Sequence, residues 1–426
     1  MREMKNSGIE WVGAIPQDWQ LSKIGSLYTQ RNEKVSDKDY QPLSVTMQGI
    51  LPQLVTAAKT DDGDNRKLVR VGDFAINSRS DRRGSCGTSP LDGSVSLINI
   101  ILTPRTAMHP GYYNWLFHTT LFADEFYKWG HGIVADLWTT RWQEMKSITV
   151  PVPGYAEQER IAAFLNAECA EIDAVLEKTR ASIEEYKKLK QAVITQAVTK
   201  GIRGDRPMKD SRIEWIGEIP ESWEVSSVRY IGQLQNGISK GGEFFGKGFP
   251  FVSYGDVYKN YELPHSVSGL IDTTEDERAT YSVEYGDIFF TRTSETIEEV
   301  GFSCVCKRSI PNATFAGFII RLRPFCADEK ILTDYAKYYF RGEHIRAYLV
   351  KEMNLVTRAS LGQTLLKGMS VIVPPKSVQK EIAEYLDEKC EGIDDLIAKK
   401  QQYLTEIENY KKSLIYEYVT GKKEVV

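Results

Sequence analysis

The chain has 426 residues, with 54 Lys and Arg against 58 Asp and Glu and a formal net charge of −4. That length is too great for one ordinary core and suits two domains or more. A hydrophobic share of 42% with 26% charged residues excludes a disordered chain, and the mild acidity excludes a protein that coats nucleic acid over its whole surface.

The first residues, MREMKNSGIEWVG, lack the apolar core of a signal peptide, and no stretch is apolar enough to span a bilayer, so the expected location is cytoplasmic. In MKNSGIEWVGAIPQDW (4–19), Trp11 and Trp19 read as core-packing residues. The segment RKLVRVGDFAINSRSDRR (66–83) is polar and basic, carrying six Lys and Arg against two Asp. VSLINIILTP (95–104) is β-branched and apolar and predicts a strand, and YYNWLFHTTLFADEFYKWG has the aromatic spacing of a helix. SITV then runs into PVPG, and no Pro or Gly occurs from Glu157 until Gly201. Across that stretch Ile161, Leu165, Ile172, Leu176 and Ile183 keep coiled-coil spacing among abundant Glu and Lys. A helix over 154–200 would run roughly 70 Å. VTKGIRGDRP breaks it with two glycines and a proline.

Beyond the linker the chain is written again. MKDSRIEWIGEIPESW (208–223) repeats residues 4–19 at an offset of 204, and YGDIFFTRTS (285–294) repeats VGDFAINSRS (71–80) at 214. Gln379–Lys422 then aligns without gaps to Gln158–Gly201 at 221, and its seam carries Ile382, Leu386, Ile393, Ile397 and Leu404. The offset drifts through the first part of each copy and holds still across the helix. An insertion there would rotate one face by about 100° per residue. The expected organisation is a globular domain over 1–153, a helix over 154–200 and a linker over 201–207, followed by a domain over 208–375 and a helix over 376–422. The fold class is α+β, with two globular α/β domains and two long helices that bury each other's seams.

Catalytic signatures are missing. GGEFFGKG (241–248) approaches a phosphate loop, but Gly248 stands where Ser or Thr would bind Mg²⁺. Neither GxSxG, HExxH nor the Asn-Pro-Pro-aromatic tetrad of amino-methyltransferases occurs, and the six Cys and five His are scattered, so no metal site is expected. The residues that remain suit DNA: Arg reads guanine edges, and Ser and Thr serve bases or phosphates. The candidates are Arg66, Lys67, Arg79, Ser80, Arg82 and Arg83 in the first copy, and Lys240, Tyr254, Arg292, Thr293, Ser294 and Arg358 in the second.

SGIEWVGAIPQDW, SRIEWIGEIPESW, GFPFVSYGDVY, YGDIFFTRTSETIEEVG and the strand–proline–EQERIAAFLN–helix run together resemble the specificity subunits of type I restriction–modification systems, over nearly the whole chain. The resemblance implies that each domain recognises one half of an asymmetric split target on double-stranded DNA. It implies that the helices pack antiparallel as a coiled coil under a pseudo-twofold axis. They would set the half-site spacing and dock two adenine-methylating modification subunits, which restriction subunits then join. It also implies no catalysis and no cofactor in this chain, since S-adenosylmethionine, ATP and Mg²⁺ belong to the partner subunits. The alternative is a coiled-coil assembly scaffold that binds protein without base readout; an enzyme with its own methyltransferase or nuclease is disfavoured by the missing signatures.

Overall fold

The structure, a computed structural model, describes residues 2–53, 63–105, 108–132, 138–204, 206–294, 300–352 and 359–425. It divides into two compact units, Met1–Arg180 with Gln401–Val426, and Ala181–Lys400. Each unit therefore contains one globular repeat, part of the helix that follows it, and part of the other long helix.

In the first unit the main sheet is antiparallel in the order Cys86–Thr88, Phe74–Asn77, Asn99–Pro104, Tyr28–Arg31. In the second unit it runs Ser303–Val305, Ile288–Thr291, Ile319–Pro324, Gly232–Asn236, the same order of repeat-equivalent strands. The VGD and YGD motifs start the second strand of each list. Asp73 accepts from the Arg70 amide, from Thr103 Oγ1 and from Arg31 Nε at 2.7 Å. Asp287 accepts from the Glu284 amide and from Arg323 Nε at 2.7 Å. Both carboxylates are buried, so each needs its cation. The Arg comes from a different strand in each copy, Tyr28–Arg31 in one and Ile319–Pro324 in the other.

The smaller sheets differ. Lys34–Val35, Arg66–Val69 and Gly93–Val95 pair antiparallel in the first unit, whereas Phe245–Val252 pairs parallel with Thr314–Phe315 and antiparallel with Leu270–Ile271 in the second. GGEFFGKG therefore lies on a turn and an exposed strand and not at the start of a helix, as a phosphate loop would require.

The long helices are Tyr155–Lys200 and Lys376–Val419. A two-stranded pairing leads into each: Gln20–Lys23 with Thr149–Val152, and Glu224–Ser227 with Ser370–Val373. A buried glutamine fixes the first turn. Gln158 accepts from the His109 amide and donates to the Pro153 carbonyl. Gln379 accepts from the Leu332 amide and donates to the Pro374 and Lys330 carbonyls.

The helix ends are held by the Trp motif of the other copy. In the first unit Tyr112 Oη donates to the Val419 carbonyl at 2.8 Å, and in the second Tyr335 Oη donates to the Val198 carbonyl at 3.1 Å. Left-handed glycines close both helices, Gly421 at φ 71° and Gly201 at φ 82°. A Cβ on Gly421 would lie 2.4 Å from Pro16 and 3.0 Å from Trp19, and one on Gly201 3.3 Å from Trp223. Each Ile-Pro-x-x-Trp segment is thus a socket for a helix terminus. Trp19 and Trp223 are core residues, as the sequence suggested.

This arrangement revises the seam. Within the first unit the helices run antiparallel, with Asp173 paired to Lys411 and Arg180 to Glu408, each at 2.6 Å. Within the second unit Lys190 pairs with Asp394 at 2.6 Å, the repeat image of the first pair. Ile161 and Leu165 bury themselves among Trp19, Tyr112, Leu414 and Val419, and Ile382 and Leu386 among Trp223, Tyr335, Ile194 and Val198. The seam ends therefore serve the globular cores as much as the opposite helix. Leu176, Ile183 and Ile393 are buried, while Ile172, Ile397 and Leu404 are only half-buried.

Candidate nucleic-acid interface

The sheet projects one equivalent loop in each unit. In the first, Phe74–Asn77 is wholly buried and the chain leaves it at Ser78. The Ser78 amide donates to the Ile98 carbonyl at 3.3 Å, and its carbonyl accepts from Thr140 at 3.0 Å. In the second, the chain leaves Ile288–Thr291 at Arg292, whose amide donates to the Phe318 carbonyl at 2.8 Å and whose carbonyl accepts from Leu361 at 2.7 Å. Ser78 and Arg292, Ile98 and Phe318, and Thr140 and Leu361 are repeat partners. The backbone frame is preserved while the side chains on it change. Such a frame can present different hydrogen-bonding groups at one place in two domains.

The candidates of the first unit separate. Arg79 is half-exposed, with its amide bonded to Asn77 Oδ1 at 3.0 Å. Ser80 opens a short turn, Ser80–Arg82, whose first amide donates to the Trp138 carbonyl at 3.1 Å. Arg82 is exposed and near Asp81 at 3.7 Å, and Arg83 pairs with Asp124 and lies over the Tyr127 ring. These four share one loop.

Arg66 and Lys67 do not join it. Arg66 is 4% exposed, and its guanidinium donates to Ser94 Oγ and to the Ser94 carbonyl. Lys67 Nζ donates to the Asn99 carbonyl at 2.7 Å, and burial lowers the pKa of both groups. They are structural cations. The charge count over 66–83 mixed a buried strand with an exposed loop.

In the second unit Arg292 and Thr293 are half-exposed, and Thr293–Ser294 pairs with Ala359–Ser360. The Ser294 side chain and Arg358 lie outside the described residues. Lys240 is committed elsewhere: its ammonium donates to the Asp272 carbonyl at 2.9 Å and to Glu277 Oε2 at 2.6 Å, which holds the Glu277 carboxyl below its usual range. Tyr254 begins the helix Tyr254–Lys259 and stacks on Tyr258 at 5.8 Å. Phe318, Asn236 and Gln363 belong to the same loop cluster but escape the sequence reading. Phe318 sits inside TFAGFIIRLRP, which reads as one apolar strand, and only the Ala-Gly before it marks a turn.

Among the described residues no group of three His, Cys, Asp or Glu could hold a metal, and no helix is long and apolar enough to cross a membrane. Five of the six cysteines are buried and all are free, with burial raising the thiol pKa of Cys306 to about 12 and of Cys169 and Cys390 to about 11.

Residues 220–408 match the family model for the type I restriction modification DNA specificity domain. The chain is 22% identical to the type I restriction enzyme EcoKI specificity subunit of Escherichia coli K12, over 96% of this chain and 90% of that one. The chain is thus similar to type I restriction–modification specificity subunits over nearly its whole length. The StySPI specificity subunit of Salmonella potsdam is likewise 22% identical over 96% of this chain and 90% of its own. A solved chain described under complex assembly and conformational transition of the type I R-M system shares the fold, with a TM-score of 0.73 at 14% identity, covering 96% of this chain and 99% of that chain.

Proposed function

We propose that this subunit gives a type I restriction–modification complex its target, each globular repeat reading one half of an asymmetric bipartite DNA sequence. The observation that carries this is the repeated loop frame with exchanged side chains, Ser78 and Arg79 in one copy against Arg292 and Thr293 in the other. Phosphate contacts would position the protein, and base-edge contacts from these loops would specify the sequence. The long helices set the distance between half-sites, and their charged outer faces dock two adenine-methylating modification subunits. Restriction subunits join the same assembly in the cytoplasm. In this reading the chain performs no catalysis and binds no cofactor; S-adenosylmethionine, ATP and Mg²⁺ act in the partners.

The test is co-expression with the modification subunits followed by genome-wide mapping of methylated adenine. An asymmetric motif of two short blocks separated by a fixed unspecified spacer is expected. An active complex whose methylation shows no bipartite motif would overturn the reading.

A further inference from the structure

The second unit carries an exposed aromatic beside a cation that has no ion-pair partner among the described residues. Phe318 is 63% exposed, although its neighbours Ala316 and Ile319 are buried. It is not on a loose loop. The Gly317 amide donates to the Ile238 carbonyl at 2.8 Å, and a Cβ at Gly317 would fall 2.1 Å from Ser239 Oγ, so the turn is pinned closely against its neighbour. A phenyl ring left in water forgoes its burial energy and is free to cover an apolar group of a ligand.

Arg292 is its cross-strand neighbour. Thr291 opposes Ile319 in the last register pair of the ladder, and the bond from the Arg292 amide to the Phe318 carbonyl continues it by one step. Opposed residues share a face, so these two side chains rise together on the side away from buried Thr291 and Ile319. Arg321, Arg323 and Arg341 are all tied to carbonyls or carboxylates. The Arg292 guanidinium has no such partner among the described residues. Gln363 Nε2 donates to Asn236 Oδ1 at 2.9 Å, in a bond that ties the chain after Leu361 to the sheet edge.

A guanidinium fits the O6 and N7 acceptors of guanine, and an apolar ring fits the thymine methyl; both lie in the major groove. Resting on the half-site reading above, we propose that Arg292 and Phe318 together recognise a guanine next to a thymine in the half-site of the second unit, Arg292 taking the guanine edge and Phe318 covering the thymine methyl. The first unit places Ser78 and Ile98 at these positions and so reads its own half by other contacts.

The experiment uses the assembled methyltransferase and duplexes carrying its mapped target. Each thymine of the second half-site is replaced in turn by uracil, which lacks only the methyl, and each guanine by 7-deazaguanine. One uracil should weaken the native complex about fourfold, the worth of one buried methyl, and leave Phe318→Ala unaffected. One 7-deazaguanine should weaken the native complex at least about fivefold and leave Arg292→Ala unaffected. Phe318→Ala itself should bind about tenfold more weakly, and Phe318→Leu should fall between. The exposed position leaves folding intact, checked by thermal melting. A half-site with no adjacent guanine and thymine overturns the proposal. So does a uracil effect shared equally by native and Phe318→Ala complexes. Loss of the modification subunits on purification of Arg292→Ala would assign the patch to protein docking and overturn it as well. Each of these leaves the bipartite motif itself standing, whereas absence of that motif defeats the parent reading.

Discussion

The two units solve the same folding problem with different amounts of polar support, most plainly at the Trp socket. In the first unit the Trp19 indole donates to Glu157 Oε2 at 2.9 Å, and Arg2 pairs with the same carboxylate. In the second, Val378 stands where Glu157 does, and the Trp223 indole is buried with no hydrogen-bond partner among the described residues. Arg206 still occupies the place of Arg2. The glutamines reverse the balance, since Gln379 bonds three backbone groups and Gln158 two. Duplicated frameworks tolerate the loss of one bond when packing around it is kept. Trp19 and Trp223 are equally buried despite the difference.

The largest expected effect is at the helix starts. Gln379→Ala should lower the stability of its unit by about 3 to 5 kcal/mol, and Gln158→Ala by about 1 kcal/mol less, because each strands buried backbone groups. Equal losses in chemical denaturation would show that the third bond, to Lys330, contributes nothing.

A second difference is acid sensitivity. His344 stacks on Trp215 and meets Tyr339 edge-on, and burial pushes its pKa from 6.5 down to about 3. Its repeat partner is Leu121. The folded-state pKa is depressed, so the unfolded chain binds the proton first. The stability is fully present above about pH 6.5 and is lost as pH falls toward 3. From pH 6.5 to 5 the second unit should lose about 2 kcal/mol. His344→Phe should flatten that slope, and melting curves over this range that match the native protein would reject the assignment.

The two arginine classes of the first unit give the next contrast. Arg66→Ala should cost about 2 kcal/mol of stability by orphaning Ser94 and opening a gap, with an unchanged methylated motif. Arg79→Ala should leave melting unchanged and relax one half of the motif only; relaxation of both halves would break the one-unit, one-half-site assignment. The smallest effect is Val378→Glu. It supplies the missing acceptor to Trp223 within reach of Arg206, and it should change stability by no more than about 1 kcal/mol in either direction. Glu157→Val, by contrast, should destabilise by about 2 kcal/mol.

The repeat, the long helices and the family resemblance were legible because they rest on periodicity and local punctuation: the seam from Ile161 onward, the glycines after each helix, and the doubled Trp motif. The interface was only partly legible. Arg66 and Arg79 lie in one basic run, yet one is buried against Ser94 and the other is half-exposed. Phe318 and Arg292 are 26 positions apart in the sequence and become neighbours only through strand pairing.

By itself the sequence determined the duplication, the helices and the absence of catalytic signatures, since each is written in local spacing. Only the tertiary structure decided that each Trp socket holds the end of the other copy's helix and that Arg66, Lys67 and Lys240 are structural. It also placed the exposed phenyl and guanidinium on one face. Those outcomes depend on which distant backbone groups meet, and that is settled by sheet register and packing rather than by the neighbours a residue has in the chain.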